Sequence, residues 1–202
     1  MAGLTFAERM SGPFVMGVTD PYEGARQGRR TRWSMTLHAR VTIPDIAAFV
    51  AERNPVAALS GELELPGVRD RVAFDGGAFR LFPADDDALM RYEVAFDGVG
   101  EEDGPLLLAG RKCWQNRPMA HRMWFDTTTL EVRLHRGADA TADVAGAGVL
   151  RIGASDFARV LTSVRVPQAR TAAQAGQAVG AYAWLLARKL GQAYLPGSPQ
   201  RG

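Results

Sequence analysis

The sequence predicts a mainly β protein of the α+β class: an antiparallel β-barrel of about eight strands, with a short N-terminal helix and a long C-terminal helix packed on or capping the barrel. Two observations support this. Segments in which apolar and polar residues alternate recur through the first three quarters of the chain, and residues 33–41, 90–96 and 128–135 are the clearest. Apolar residues then recur at spacings of three and four, which is typical of a helix. An antiparallel sheet with one apolar face must close or pack to bury that face.

The first third of the chain predicts the opening elements. Residues 4–16 are amphipathic and contain a Gly-Pro pair, so we predict a short helix or an irregular lid there. Apolar and polar residues alternate from Trp33 to Val41, which predicts a strand. Pro44 begins a helix, because a proline fits the first turn, where its missing N–H costs nothing. Asn54-Pro55 ends that helix.

Further strands follow along the middle of the chain. Residues 59–65 predict one strand, and two short strands at 72–74 and 78–82 are joined by Asp75-Gly76-Gly77, a hairpin-turn signal. The remaining strands are predicted at residues 90–96, 105–114, 122–135 and 146–152.

The C-terminal part predicts two helices. Ser155 is a candidate N-cap of the first, and the second runs from about residue 171 to 194. Gly176, Gly180 and Ala183 allow this long helix to approach another element closely. We favour packing against the barrel or plugging one end over a dimerisation helix. One domain, 1–202, is expected, with an N-terminal lid or loop at 1–32, the barrel at 33–152, helices at 153–195 and a tail at 196–202.

Composition and charge exclude several classes. The net charge is +2, and the basic stretch Arg26 to Arg32 is more consistent with a solvated loop than with a phosphate site, so nucleic acid is not an expected partner. The N-terminus lacks the apolar core of a signal peptide. No segment reaches the ~18 uninterrupted apolar residues of a membrane span. With Cys113 as the only cysteine, no intrachain disulfide can form. We expect a cytoplasmic protein.

Common catalytic motifs are missing. The sequence contains no phosphate loop, dinucleotide fingerprint, nucleophile elbow or His-Glu-x-x-His motif. Its three histidines are far apart, and His38 and His135 fall on the polar phases of their strands, where we expect surface roles. We therefore expect neither a metal site nor a cofactor.

The apolar faces suggest a pocket. A small closed barrel cannot fill its centre with so many large side chains unless they line a cavity or contact a covering helix. A few polar groups among apolar side chains are what a small-molecule site requires. Tyr92 and Lys112 are the candidate catalytic residues, because either could polarise a carbonyl. A plain core is the alternative. The candidate substrate-binding residues are Trp33, Met35, Met90, Trp114, Met123 and Trp124.

Two further residues have open interpretations. Asp126 precedes three threonines, so it caps backbone N–H groups in a turn, or it points inward with Trp124 as a general acid or base. Cys113 is a small buried hydrophobe, or a thiol whose pKa is lowered by Lys112.

Several motifs along the chain together resemble a known family. The motifs are Phe6-Ala-Glu-Arg-Met-Ser-Gly12, Leu59-Ser-Gly61, Gly77-Ala-Phe-Arg-Leu-Phe82, Met90-Arg-Tyr92, Leu108-Ala-Gly-Arg-Lys112, Trp124-Phe-Asp-Thr-Thr-Thr-Leu130 and Asp156-Phe157. With them the chain is similar to the accessory β-domain found beside bacterial flavin-dependent oxidoreductases of the cholesterol-oxidase (glucose-methanol-choline) type. The flavin-binding glycine motif is absent, so the resemblance implies apolar, polycyclic or polyketide-like substrates but no oxidoreductase activity.

Three functional hypotheses follow. The chain is also similar in kind to stand-alone β-barrel cyclases of polyketide pathways, which fold a flexible substrate into a reactive conformer without a cofactor. The first hypothesis is therefore a cofactor-free cyclase or isomerase, performing a pericyclic-type ring formation on an apolar, polyketide-like natural product. The second is a non-catalytic sterol- or lipid-like ligand carrier. The third is an accessory domain that docks on a partner oxidoreductase through the C-terminal helix. A homodimer is also a candidate assembly.

Overall fold

Eight antiparallel strands form a closed barrel in the computed structural model, which describes residues 2–67, 71–84, 88–98, 104–113 and 120–194. Each strand pairs with its sequence neighbours, and the last strand pairs with the first. The predicted fold class is confirmed. The strands are β1 (Leu4–Met16), β2 (Ser34–Ile43), β3 (Val56–Glu64), β4 (Val72–Leu81), β5 (Ala88–Asp97), β6 (Pro105–Cys113), β7 (Thr129–Arg136) and β8 (Val144–Arg151).

The described residues also form five helices, which are distributed unequally between the two ends of the barrel. Because successive strands alternate in direction, α2, α3, α4 and α5 all follow strands that finish at one end, which we call the helix-capped end. Among the described helices, only α1 lies in a connection at the other end. None of the described helices is long and apolar enough to cross a membrane. The helices are α1 (Pro21–Thr31), α2 (Ile46–Ala51), α3 (Ala120–Thr128), α4 (Ala154–Ser163) and α5 (Ala172–Tyr194).

The long helix α5 packs on the helix-capped end. Ala178 and Leu185 of α5 are buried, and its Tyr182 packs on Phe6 of β1 and Phe49 of α2, with ring centroids 5.7 and 6.5 Å apart. The side of the helix that carries these residues adds to the apolar core. The expected packing of the C-terminal helix on the barrel is therefore confirmed.

The N-terminal segment differs from the prediction. A short helix near the N-terminus is present, but it is α1, where Asp20 caps the helix by accepting from the Glu23 N–H at 2.8 Å. Residues 4–16 form β1 instead of a helix or lid, so the barrel begins at Leu4. Leu4, Phe6 and Met10 of this strand are buried with a period of two. The alternation of apolar and polar residues is less clear in this segment because Glu8, a carboxylate, occupies one of the inward positions.

Two further segments also differ. Asp75-Gly76-Gly77 is not a hairpin turn. Leu59 pairs with Gly77 and Gly61 pairs with Phe74, so β4 is one continuous strand with an extra residue at a bulge. Gly76 has a φ of +79°, which glycine adopts at little cost. One strand is predicted over residues 122–135, but only β7 is extended there. The first part of the predicted strand forms α3.

Glycines allow the barrel to close between β1 and β8. A Cβ on Gly12 would lie 2.2 Å from the Val149 carbonyl oxygen, and one on Gly148 would lie 2.4 Å from that of Pro13. The two strands could not approach this closely with larger residues at these positions. Glycine here serves packing rather than backbone freedom.

We expect Gly12→Ala to destabilise the protein by ~1–3 kcal/mol, because the added methyl group forces the β1–β8 seam apart. The measurement is the free energy of unfolding in urea. Gly176→Ala is the matched control: a Cβ there meets nothing within 4 Å in α5, so it should stabilise by ~0.5–1 kcal/mol. Equal effects of the two substitutions would contradict a close seam.

Candidate functional site

Three ionisable side chains meet inside the barrel. The Tyr92 hydroxyl of β5 donates to Glu8 Oε2 of β1 at 2.7 Å, and the Lys112 Nζ of β6 lies 3.4 Å from the same oxygen. The ammonium is also 5.1 Å from the centroid of the Tyr92 ring. We call these three residues the Glu8–Tyr92–Lys112 cluster. One carboxylate oxygen therefore accepts from two donors that come from other strands.

The period of the strands places these residues inward. Tyr92 lies in the same phase as the buried Met90 and Val94, and Lys112 in the same phase as the buried Leu108. Gly110 is directly opposite Tyr92 in the β5–β6 register, so no side chain competes with the phenol ring at that position. A chain that builds an apolar barrel thus brings three polar groups to its interior.

Burial makes this cluster electrostatically unusual. Tyr92 and Lys112 are each 1% exposed, and Glu8 is 9% exposed. Burial lowers the pKa of the Lys112 ammonium, and the negative charge and hydrogen bond of Glu8 act in the opposite direction. Burial and the Glu8 charge both raise the pKa of Tyr92 well above its ordinary value. The phenol is therefore neutral over a wide pH range, while the lysine gives up its proton more readily than usual.

Such a cluster is weak evidence for a stabilising role. Taking two charges out of water costs several kcal/mol, and their attraction often only offsets that cost. Buried ionisable groups with perturbed pKa values occur preferentially at functional sites. Because the surrounding core is apolar, we treat the cluster as the candidate site.

Aromatic rings separate the cluster from the helix-capped end. Phe6 is one inward position closer to that end than Glu8 and contacts Tyr182 of α5. Phe79 packs edge-on against the Tyr92 ring, with centroids 5.1 Å apart. Burial and the Glu8 charge raise the pKa of Tyr182. We call Phe6, Phe49 and Tyr182 the aromatic layer.

The structure brings together only part of the predicted site. Tyr92 and Lys112 do meet, and Met90 contributes a sulfur 3.9 Å from the Tyr92 hydroxyl. Met35 is also buried in the core. Glu8, which sequence analysis did not single out, is the group that joins the two predicted residues. Its signal was a carboxylate at an inward position of a period-two strand.

The other predicted pocket residues lie elsewhere. Trp33 is 46% exposed because it precedes β2, while Met123 and Trp124 are 41% and 39% exposed because α3 replaces the predicted strand. They do not line the barrel interior, and Trp124 instead packs on Phe157 of α4. Trp114 lies outside the described residues. A role of these tryptophans and of Met123 in binding stays a prediction.

The remaining candidates occupy separate places. Asp126 is buried in α3, whereas Trp124 is exposed, so the two do not point inward together. Cys113 is partly buried at the end of β6. His38 lies 2.9 Å from Glu64, but His135, expected at the surface, is buried with Nδ1 2.8 Å from the Ala142 carbonyl oxygen. Among the described residues, no three His, Cys, Asp or Glu side chains form a metal-ligand group.

Surface cavities lie outside the barrel wall in the part of the chain that the structure describes. One of about 700 Å³ lies between α2 and α5, and another of about 670 Å³ lies along α5 and the segment before it. A third, of about 550 Å³, lies between α4 and the outer face of β1 to β4. Comparison of the chain with protein-family models, curated proteins and solved structures found no match.

We expect Tyr92→Phe to cost ~1–3 kcal/mol at neutral pH, because it removes a hydrogen bond to a carboxylate. Above the ordinary tyrosine pKa of 10.0, the unfolded phenol ionises while the buried one stays protonated, so the wild type loses stability as pH rises. The variant lacks this loss, and the difference should shrink. Urea unfolding measured on both sides of that pH checks it; parallel profiles would show that burial does not raise the pKa.

A second prediction concerns the ion pair. Lys112→Met alone should cost ~3–5 kcal/mol, because it leaves the Glu8 carboxylate buried without its cation. Glu8→Gln combined with Lys112→Met should restore or exceed wild-type stability, since the amide oxygen still accepts from Tyr92. Urea unfolding of the single and double variants is the measurement. If the double variant is as unstable as Lys112→Met alone, the cluster stabilises the fold.

Proposed function

We propose that this protein is a cofactor-free isomerase or cyclase that transfers a proton next to a carbonyl group of an apolar, polyketide-like substrate. The observation that supports it is the Glu8–Tyr92–Lys112 cluster: a carboxylate, a neutral phenol and a lysine of lowered pKa within an apolar interior. This is a base next to two donors, the set of groups that enolisation requires.

The proposed reaction begins with proton transfer. The Glu8 carboxylate accepts a proton from the carbon beside the carbonyl, while Tyr92 or Lys112 donates a hydrogen bond to the carbonyl oxygen, which becomes the enolate oxygen. Isomerisation is complete when Glu8 returns the proton to a different carbon. No atom or electron is gained or lost overall.

Cyclisation uses the same groups. The enolate carbon attacks a second carbonyl carbon of the same molecule, a carbon–carbon bond forms, and the electron pair of the second carbonyl moves to its oxygen. That oxygen takes a proton from the Lys112 ammonium, and Lys112 recovers one from protonated Glu8. A pericyclic closure would need only the polarised carbonyl and a folded substrate.

Burial shifts the pKa values of Tyr92 and Lys112 in the directions that their proposed roles require. A lysine of lowered pKa is a better proton donor to a developing alkoxide, and a tyrosine of raised pKa stays a hydrogen-bond donor. Both effects depend on exclusion of water, which also strengthens electrostatic interactions. The closed wall and the helix α5 provide that exclusion.

We propose that the substrate enters from the helix-capped end. Tyr92, Phe79 and Phe14 are among the largest wholly buried side chains, so the interior is densely filled where the structure describes it. Entry therefore requires side chains to move. The aromatic layer is the boundary between the cluster and α5, and its rings pack on one another in tilted contacts.

The test follows proton exchange in a panel of apolar ketones, from cyclohexanone to steroid enones, incubated in heavy water. We expect the wild type to accelerate loss of the α-proton NMR signal and Glu8→Gln to reduce that rate by about 10²–10⁴-fold, the contribution of a general base. Glu52→Gln is the matched control, because Glu52 is exposed beyond α2.

Three outcomes separate the hypotheses. Exchange that depends on Glu8 supports the proposal. Ketones that bind and return without exchange would support the carrier instead, which the apolar core around the cluster also favours. No binding by any ketone would contradict both. Docking on a partner oxidoreductase stays a prediction, and removing α5 cannot test it cleanly because Ala178 and Leu185 belong to the core.

A further inference from the structure

We propose that a groove on the outer wall of the barrel binds the anionic group, phosphate or carboxylate, of a small-molecule ligand. The groove has a volume of about 550 Å³, and Arg9, Arg40 and Arg159 all line it. We call it the arginine groove. Glu8 is also among its lining residues, but the proposed reaction uses the Glu8 carboxylate, which points into the barrel, whereas Arg9, the next residue on β1, points outward.

The strand register explains why these arginines share one face. On the outer side, Arg9 of β1 is directly opposite His38 of β2, and Ala7 is directly opposite Arg40. Helix α4 forms the other wall and contributes Arg159. The hydroxyl of Ser163 holds this wall against β1, since it accepts from the Ala7 N–H at 2.9 Å. The three positive groups thus come from three neighbouring elements, β1, β2 and α4.

Three guanidinium groups and three carboxylates line the groove, but only one of these carboxylates pairs with the lining arginines. Arg9 and Arg159 share a single carboxylate, with Asp156 Oδ2 and Oδ1 at 3.4 and 3.1 Å from their guanidinium nitrogens. Asp156 is buried, and each of its two carboxylate oxygens contacts one of these arginines. In the described part of the chain, Arg40 has no ion pair. The guanidinium group of Arg40 is exposed, and it lies in the same groove as two guanidinium groups that share one carboxylate.

The two other acidic lining residues, Glu8 and Glu62, do not pair with these arginines. Tyr92 and Lys112 donate to the Glu8 carboxylate inside the barrel. Glu62 is bound at 3.0 Å by Arg71, a residue outside the lining. The neighbouring Glu64 is bound by Arg71 at 2.9 Å and by His38 at 2.9 Å. The single cation Arg71 is therefore shared by both carboxylates, and an incoming anion meets Arg9, Arg40 and Arg159.

The floor of the groove leaves room for a ligand. Ala7 and Ala73 have small side chains, Gly61 has none, and Ala39 points into the core, so a ligand can lie over these positions. The volume is within the usual range for small-molecule sites. Guanidinium groups bind carboxylate and phosphate oxygens through paired hydrogen bonds. A ligand with an anionic head and a compact body matches this geometry.

The experiment titrates the intact protein with inorganic phosphate and, separately, with hexanoate at constant ionic strength, and follows amide and arginine side-chain NMR signals. We expect saturable shifts at β1, β2 and α4. Arg40→Gln and Arg159→Gln should each weaken binding by about tenfold or more, the effect of losing a charge-assisted hydrogen bond.

Arg29→Gln is the matched control, because it removes the same charge from an exposed position on α1. Binding of phosphate alone would identify a phosphate-bearing ligand, and binding of hexanoate alone a carboxylate with an apolar body; both support the proposal when Arg40→Gln weakens them. No saturable shift with either probe, or equal weakening by Arg29→Gln, would overturn it. Circular dichroism of each variant verifies that the barrel is intact.

Discussion

The pairing of β1 with β8 is the constraint on which the rest of the structure depends. It closes the sheet, so no strand edge is left unpaired in the barrel. It also places β1 across the interior from β5 and β6, which are not its neighbours. Only after this closure can Glu8 accept hydrogen bonds from Tyr92 and Lys112. The small residues of the seam, Gly12 and Gly148, therefore matter to the site even though they are not part of it.

Closure also explains the unequal ends of the molecule. An even number of antiparallel strands returns the chain to the end at which it began, so α4 and α5 follow β8 at the same end as α2 and α3. The apolar side of α5 then has a surface to cover, and Tyr182 completes the layer over Phe6. Water is excluded from the cluster by this arrangement, and the perturbed pKa values of Tyr92 and Lys112 follow from that exclusion.

The period of two was enough to predict the barrel and two residues of the candidate site. Tyr92 and Lys112 lie in apolar phases of clear strands, whereas Glu8 interrupted the phase of β1 and made that strand resemble a helix. Gly76 could serve a hairpin turn or a bulge, and only the partner strand decides between them. Short apolar runs such as residues 123–125 suit a helix or a strand equally. Which side chains meet across the barrel depends on closure, which local sequence does not encode.

The alternation of β1 gives its two faces different chemistry. Inward, Glu8 is a carboxylate among apolar groups, and its charge is costly unless Lys112 is present. Outward, Arg9 is partly exposed and shares Asp156 with α4, so its charge costs little. A change in the position of this strand would alter both environments together, because neighbouring residues on a strand move as one. The seam that holds β1 in place therefore positions the interior cluster and one wall of the arginine groove at the same time.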